Sequence, residues 1–206
     1  MALTDRVKNI LLSPKTEWQV INGETETPQS LLTKYVIPLL LIPTIASFIG
    51  YGFVGIDAFL FKIKGVRWGA WFAVQQFVSG IIGYYIATYV IDALAPSFSS
   101  EKNIGKSAQL VAYSSTAFWV AGIFMLLPSL SILGLLGLYG IYLFYLGLPV
   151  LKKTPEDKKV VYMIVSALVI IVVSWVVQWI VGKILSAVMG NPYGIGAAEN
   201  IQDLFK

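Results

Sequence analysis

The sequence predicts an all-α protein: a polytopic membrane bundle of five transmembrane helices, preceded by short amphipathic N-terminal helices. Three observations predict it. Only 13% of the 206 residues are charged and 57% are hydrophobic, with a mean hydropathy of +0.75, whereas a soluble domain carries about 25% charged residues. Apolar runs stand at roughly 35–56, 71–94, 108–127, 130–150 and 160–185, each near the ~20 residues of helix that cross a hydrocarbon core. The connections between them are short, so no soluble domain fits between spans. The chain therefore divides into an amphipathic segment over 1–34, a five-span domain over 35–189 and a short tail over 190–206.

In the N-terminal segment, Leu3, Val7, Ile10, Leu11, Trp18 and Ile21 follow helical spacing, with charges on the opposite side. Ser13 suits an N-cap and Pro14 the first position of a second helix, and Asn22-Gly23 suits its end. Two arrangements fit: short helices lying on the cytoplasmic leaflet, or a small cap packed on the bundle. The opening "MALTDRVKNI" does not read as a cleavable signal, because charges interrupt any apolar core.

Within the first span, Pro38 and Pro43 are expected to bend the helix and free carbonyls. The loop after it, "FLFKIKGVRWGAW", alternates charges with large apolar residues and reads as interfacial. Gln75, Ser79, Gly83 and Ala87 form a small, polar stripe on the second span, and Ser174, Gln178, Gly182 and Ser186 form another on the fifth. Such stripes let membrane helices approach closely and bond across. The third span offers Tyr113, Ser114, Ser115 and Thr116.

The fourth span ends in "LYGIYLFYLGLPVLKKTPEDKK". Gly147 and Pro149 mark where its helix weakens, Lys152 and Lys153 anchor it at the headgroups, and Thr154 is the expected N-cap of the fifth helix with Pro155 following. Counted back from Leu151, Tyr145, Tyr142 and Tyr139 lie roughly 9, 14 and 18 Å deep. The deeper two hydroxyls then need partners, since an unpaired one costs about 2 kcal/mol or more. Both readings of this face, hydrogen-bonded packing or a polar cavity, point it into the bundle. The candidate polar interior is Tyr139, Tyr142, Tyr145, Gln75, Ser79, Tyr113, Ser114, Ser174 and Gln178.

Lysine and arginine number ten on the side of the N-terminus and five on the other. The positive-inside rule then places the N-terminus in the cytoplasm and the C-terminus outside, in the inner membrane if the cell is bacterial. Arg6, Lys8, Trp18, Lys152, Lys153, Lys158 and Lys159 form the candidate cytoplasmic interaction face, which also suits anionic lipids.

The chain has neither cysteine nor histidine, which removes disulfides, thiolate chemistry, the usual general base and the commonest metal ligand. No His/Cys cluster exists for zinc, no P-loop follows a strand, and serine nucleophiles have no histidine to activate them. An enzyme, a cofactor and a metal site are therefore not expected. The net charge of +4 needs no nucleic acid, because basic residues belong at the cytoplasmic ends of spans. Ionisable residues inside the spans, the usual mark of ion pathways, are nearly absent. Asp92 falls at the cytoplasmic end of the second span, and Asp57 shares the outer end with Lys183, where an ion pair is expected.

The chain resembles the Yip-domain family, named for Ypt-interacting proteins, in its bacterial form. The resemblance rests on "LLSPKTEW" before the first span, "VIPLLLIPTIASFIG" within it, Tyr113-Ser114 in the third and "YLFYLGLPVLKKTPEDK" at the fourth. It implies five spans with the N-terminus cytoplasmic and the C-terminus outside. Eukaryotic relatives are associated with Rab-type GTPases and carry an Asp-Leu-Tyr-Gly-Pro motif that is missing here, so GTPase binding is doubtful for this chain. Two functions remain open. One is a non-enzymatic membrane adaptor or organiser with an unidentified protein partner or a second copy of itself. The other is a transporter or lipid-handling protein for a neutral or lipid-like substrate, moving along a path lined by Tyr, Ser and Gln.

Overall fold

The computed structural model describes residues 1–58 and 61–191, the side chains of 57–63 apart. Two short helices, α1 (Leu3–Leu12) and α2 (Pro14–Asn22), precede the membrane domain. Five helical segments are long and apolar enough to cross a membrane: Pro28–Val54, Val66–Phe98, Ile104–Leu126, Pro128–Lys152 and Glu156–Met189, here spans 1 to 5. The chain is a multi-pass, all-α membrane bundle.

Among the described residues, the strands lie in the loop after span 1. Strand β1 (Ile56–Ala58) pairs antiparallel with β2 (Phe61–Ile63), Ile56 opposite Ile63. The sequence reading treated this loop as interfacial coil. Its signature was present, because Phe61, Lys62, Ile63 and Lys64 alternate apolar and charged residues, the period of a strand. The expected Asp57–Lys183 pair falls on a side chain outside the described residues; Lys183 itself is exposed, its Nζ 6.0 Å from the Trp179 ring centre.

Span 1 is irregular on both sides of its proline-containing helix. Its helix over Ile37–Ile49 is flanked by π-helical turns at Leu32–Val36 and Gly50–Val54. Such widened turns accompany interruptions of the backbone ladder, and proline is the commonest cause. Thr44 Oγ1, next to Pro43, donates to the Leu40 carbonyl at 2.8 Å.

The N-terminal helices are a packed cap, which settles the first of the open choices. Ile10, Trp18 and Ile21 have no solvent exposure and share one core with Leu40, Tyr113, Leu143, Leu148 and Tyr162. A helix resting on a leaflet would present these residues to lipid; here spans 3 and 4 cover them. Pro14 begins α2 as expected, while the Ser13 side chain makes no capping bond. Gly147 does not weaken the fourth helix, which runs through to Lys152. Its missing side chain is what Trp18 needs: a Cβ there would stand 2.9 Å from the indole ring. Thr154 is also not a cap. Its Oγ1 bonds Ser100 Oγ at 2.8 Å and the Leu148 carbonyl at 3.3 Å, tying the loop between spans 4 and 5 to the one between spans 2 and 3.

Span 5 stands apart from the rest. It packs along span 2 and meets span 4 only near the cap end. Trp179 and Val188 are largely exposed, as a lipid-facing helix requires.

Candidate functional site

Two polar junctions hold the cap end together. In the first, Arg6 of α1 is buried and pairs with Glu17 of α2 at 2.5 Å and with Glu24. Its guanidinium also lies 5.3 Å from the Tyr113 ring centre. Tyr113 in turn meets Trp18 and Tyr35 edge-on, and the Tyr35 hydroxyl bonds Thr116 Oγ1 at 2.6 Å. Span 3 completes the junction by satisfying the end of α2. Lys106 Nζ donates to the carbonyls of Asn22 (2.7 Å) and Glu24 (2.8 Å), and Gln109 Nε2 donates to Ile21 and Glu24. Terminal carbonyls of a helix need such donors, and a cation there also opposes the helix dipole.

In the second junction, the fully buried Lys152 donates to Asp92 Oδ1 (3.1 Å), Ser107 Oγ (2.7 Å) and the Asn103 carbonyl (3.3 Å). Ser107 Oγ donates to the same Asp92 oxygen at 3.0 Å. Three spans meet at one ammonium whose three protons all have acceptors, the condition under which a buried charge is tolerated.

These junctions overturn much of the expected interaction face. Arg6, Trp18, Lys152 and Lys159 are buried; Lys159 bonds Glu156 at 2.7 Å and lies 4.0 Å above the Tyr145 ring. Lys8 and Lys153 are exposed and Lys158 half-buried, with Lys153 paired to Glu101 at 2.5 Å and Lys158 donating to Ser99 Oγ at 2.7 Å. The basic residues of the loops mostly brace the structure, because their long stems fold back over the helix ends they follow. Asp92 shows no partner in sequence because Lys152 stands 60 positions further along the chain.

The expected polar interior is not assembled either. Tyr139 donates to the Leu11 carbonyl at 3.1 Å, and Tyr139 and Tyr142 line a hollow with Ser13, Lys15 and Thr16 at the α1–α2 turn. Tyr142 is 43% exposed. Lys15 beside these rings is exposed, and the tyrosines lie against the α1–α2 turn and not inside the bundle. The depth counted from Leu151 takes no account of α2, which packs on the last turns of span 4. The Gln and Ser residues lie elsewhere. Gln75 Nε2 donates to Gln178 Oε1 (2.7 Å) and to the Gln178 carbonyl (2.8 Å), joining spans 2 and 5. Ser79 is buried.

What the sequence did not show is a groove. Two cavities of about 380 and 530 Å³ share Ala87, Val111, Ser115, Phe118, Ile170 and Ile171, so they form one channel between span 5 and spans 2 to 4. Ser114 lines the first, and Ser174 and Gln178 the second. Gly83 faces the open space, whereas Gly80, Gly137 and Gly140 pack closely against Leu40, Phe118 and Ser114. No group of three or more His, Cys, Asp or Glu side chains suited to a metal occurs among the described residues.

Five apolar spans closed at one end by a docked helical hairpin define a capped, multi-pass membrane protein. The family model for the Yip1 domain matches residues 8–178, from α1 through most of span 5, and the chain belongs to that family. No curated protein and no solved structure matches it.

Proposed function

We propose that the chain is a non-enzymatic membrane organiser whose cap faces the cytoplasm and offers a preformed surface to a protein partner. One observation carries this reading: the N-terminal segment is part of the core, with Trp18 at 0% exposure. It is therefore a fixed platform and not a free arm. Its outer face combines exposed Lys8, Lys15 and Gln19 with exposed Leu12 and Val20, the mixture of polar rim and apolar contact that interfaces use. The lysine–arginine asymmetry supports a cytoplasmic cap. The most buried cation, Lys152, is engaged as the partner of Asp92, which supports a structural role over a chemical one.

Deleting residues 1–28 would remove Trp18, Ile10 and Ile21 and expose the core, so the test uses surface substitutions. Native-lipid discs of the full chain and of Lys8→Glu/Lys15→Glu are compared by mass spectrometry of co-purifying proteins. A stoichiometric partner lost in the double variant supports the platform. A partner that stays, or none in the full chain, rejects it. A second reading, a lipid-handling protein, is favoured by the groove between span 5 and spans 2 to 4.

A further inference from the structure

We infer that this groove binds one acyl chain of an ester-linked bilayer lipid, with the Ser114 hydroxyl donating to the lipid's ester carbonyl. The inference deepens the lipid-handling reading and is independent of the cap platform.

The location restricts the occupant first. The mouth is flanked by Leu138, Ile141 and Ile171, all more than half exposed on spans that cross the bilayer. Past the level of Tyr139 and Tyr142, toward Ile171, the surroundings of such spans are lipid hydrocarbon. Cross-section restricts it next. From Met163 to Gln178 the groove follows span 5 for about 22 Å at helical rise. The larger cavity, about 530 Å³, borders span 5 over residues 170–178, about 12 Å, and so has a mean section of roughly 45 Å². A helix about 10 Å across needs on the order of 80 Å², so a helix of a second copy does not fit, whereas a single hydrocarbon chain does. The length exceeds the ~15 Å hydrocarbon depth of one leaflet.

Ser114 supplies the polar end. It is 6% exposed, lines the groove, and its Oγ has no hydrogen-bond partner in the protein. A buried hydroxyl in an apolar wall is costly unless something accepts from it. A saturated tail cannot, but the ester at its head can. The depth agrees. Ser114 is packed against Gly140, where a Cβ would meet its carbonyl oxygen at 2.6 Å. Gly140 lies between Tyr139 and Tyr142, which sit beside Ser13 and Lys15 at headgroup level. The ester thus stands near the interface at Ser114, and the tail descends past Ser115 and Phe118 toward Gly83 and Gln178.

Gly83 gives the test its variant. A Cβ built there meets nothing within 4 Å, so Gly83→Leu projects its side chain into the groove. The full chain is reconstituted in phosphatidylcholine–phosphatidylglycerol vesicles containing a phosphatidylcholine with a diazirine-bearing acyl chain, irradiated, and mapped by peptide mass spectrometry. Adducts are expected to concentrate on residues 80–87, 111–118 and 170–178. Gly83→Leu lowers them about tenfold and Ser114→Ala about threefold, while adducts on the outer face at Trp179 and Val188 stay unchanged. Adducts spread evenly over all exposed apolar faces, or groove adducts indifferent to Gly83→Leu, overturn the proposal. Disulfide-linked dimers of Gly83→Cys with no groove adducts would assign the groove to a second copy and overturn it as well. Because the readout is occupancy, a failure of lipid movement in vesicles would reject lipid transport and leave this site untouched.

Discussion

Lys152 and Asp92, 60 residues apart in the chain, meet at 3.1 Å with the lysine fully buried. The contact closes the cap end of the bundle, because Lys152 ends span 4, Asp92 lies near the end of span 2, and Ser107 of span 3 bonds both. A buried charge stripped of its partner loses its compensation and keeps its desolvation cost.

Lys152→Met should therefore destabilise the protein by about 3–5 kcal/mol, leaving Asp92 buried and unpaired. The double variant Lys152→Met/Asp92→Leu should recover much of that loss, since an apolar pair of similar volume is often neutral in such positions. Denaturant unfolding in detergent of both single variants and the double one measures the coupling. Strict additivity would show that the two side chains do not depend on each other.

The cap should detach when the space for Trp18 is filled. At Gly147 a Cβ would lie 2.6 Å from Leu110 Cδ1 and 2.9 Å from the Trp18 ring. Gly147→Ala is expected to cost about 1–3 kcal/mol through overpacking, and limited proteolysis should then cut within residues 1–27 first. Lys8→Glu, on the exposed side of α1, should stay within about 0.5 kcal/mol of the parent. Equal protease resistance in Gly147→Ala would mean that the cap does not depend on this contact.

Much of the fold was legible because a bilayer imposes length and composition directly. The five spans, the Pro14 start of α2 and its end at Asn22 follow from local residues. The partnerships were not legible, because they join positions far apart in sequence. Lys152 read as a headgroup anchor until span 2 placed Asp92 beneath it. Tyr139 and Tyr142 read as deep because nothing in their own span says that α2 lies over its last turns. Gly147 read as a helix breaker because only the Trp18 ring explains it. The groove is the extreme case: it is space left between four spans, and Gly83, which faces it, looks in sequence like an ordinary close-packing residue. Ser114 was singled out, but as one of several hydroxyls with bundle partners, whereas its Oγ has none and it lines the groove.

The glutamine pair between spans 2 and 5 should be a modest brace. Gln75→Leu removes both bonds to Gln178, and interhelical hydrogen bonds in membranes average about 0.6 kcal/mol, reaching about 1.7. A loss of about 1 kcal/mol in unfolding free energy is expected. Since these bonds join span 5 to span 2 away from the cap end, the same variant should increase hydrogen exchange in residues 170–189 more than in span 3. Unchanged exchange there would show that apolar packing against span 2 suffices to hold span 5.

The level of the bilayer surface can be read with single cysteines, because the chain has none of its own. Tyr142 is 43% and Ile132 67% exposed on the same span, ten positions apart. Exposure alone would make Ile132→Cys the more reactive. The polar hollow of Ser13, Lys15 and Thr16 beside Tyr142 argues the reverse, since water and headgroups reach a site that holds an exposed lysine. In sealed vesicles, Tyr142→Cys and Lys15→Cys should react with a charged, membrane-impermeant maleimide from the same side, while Ile132→Cys should stay unlabelled until detergent is added. A Tyr142→Cys that behaves like Ile132→Cys would return the tyrosines to the bilayer interior. It would also remove the interfacial level on which the position of Ser114 depends.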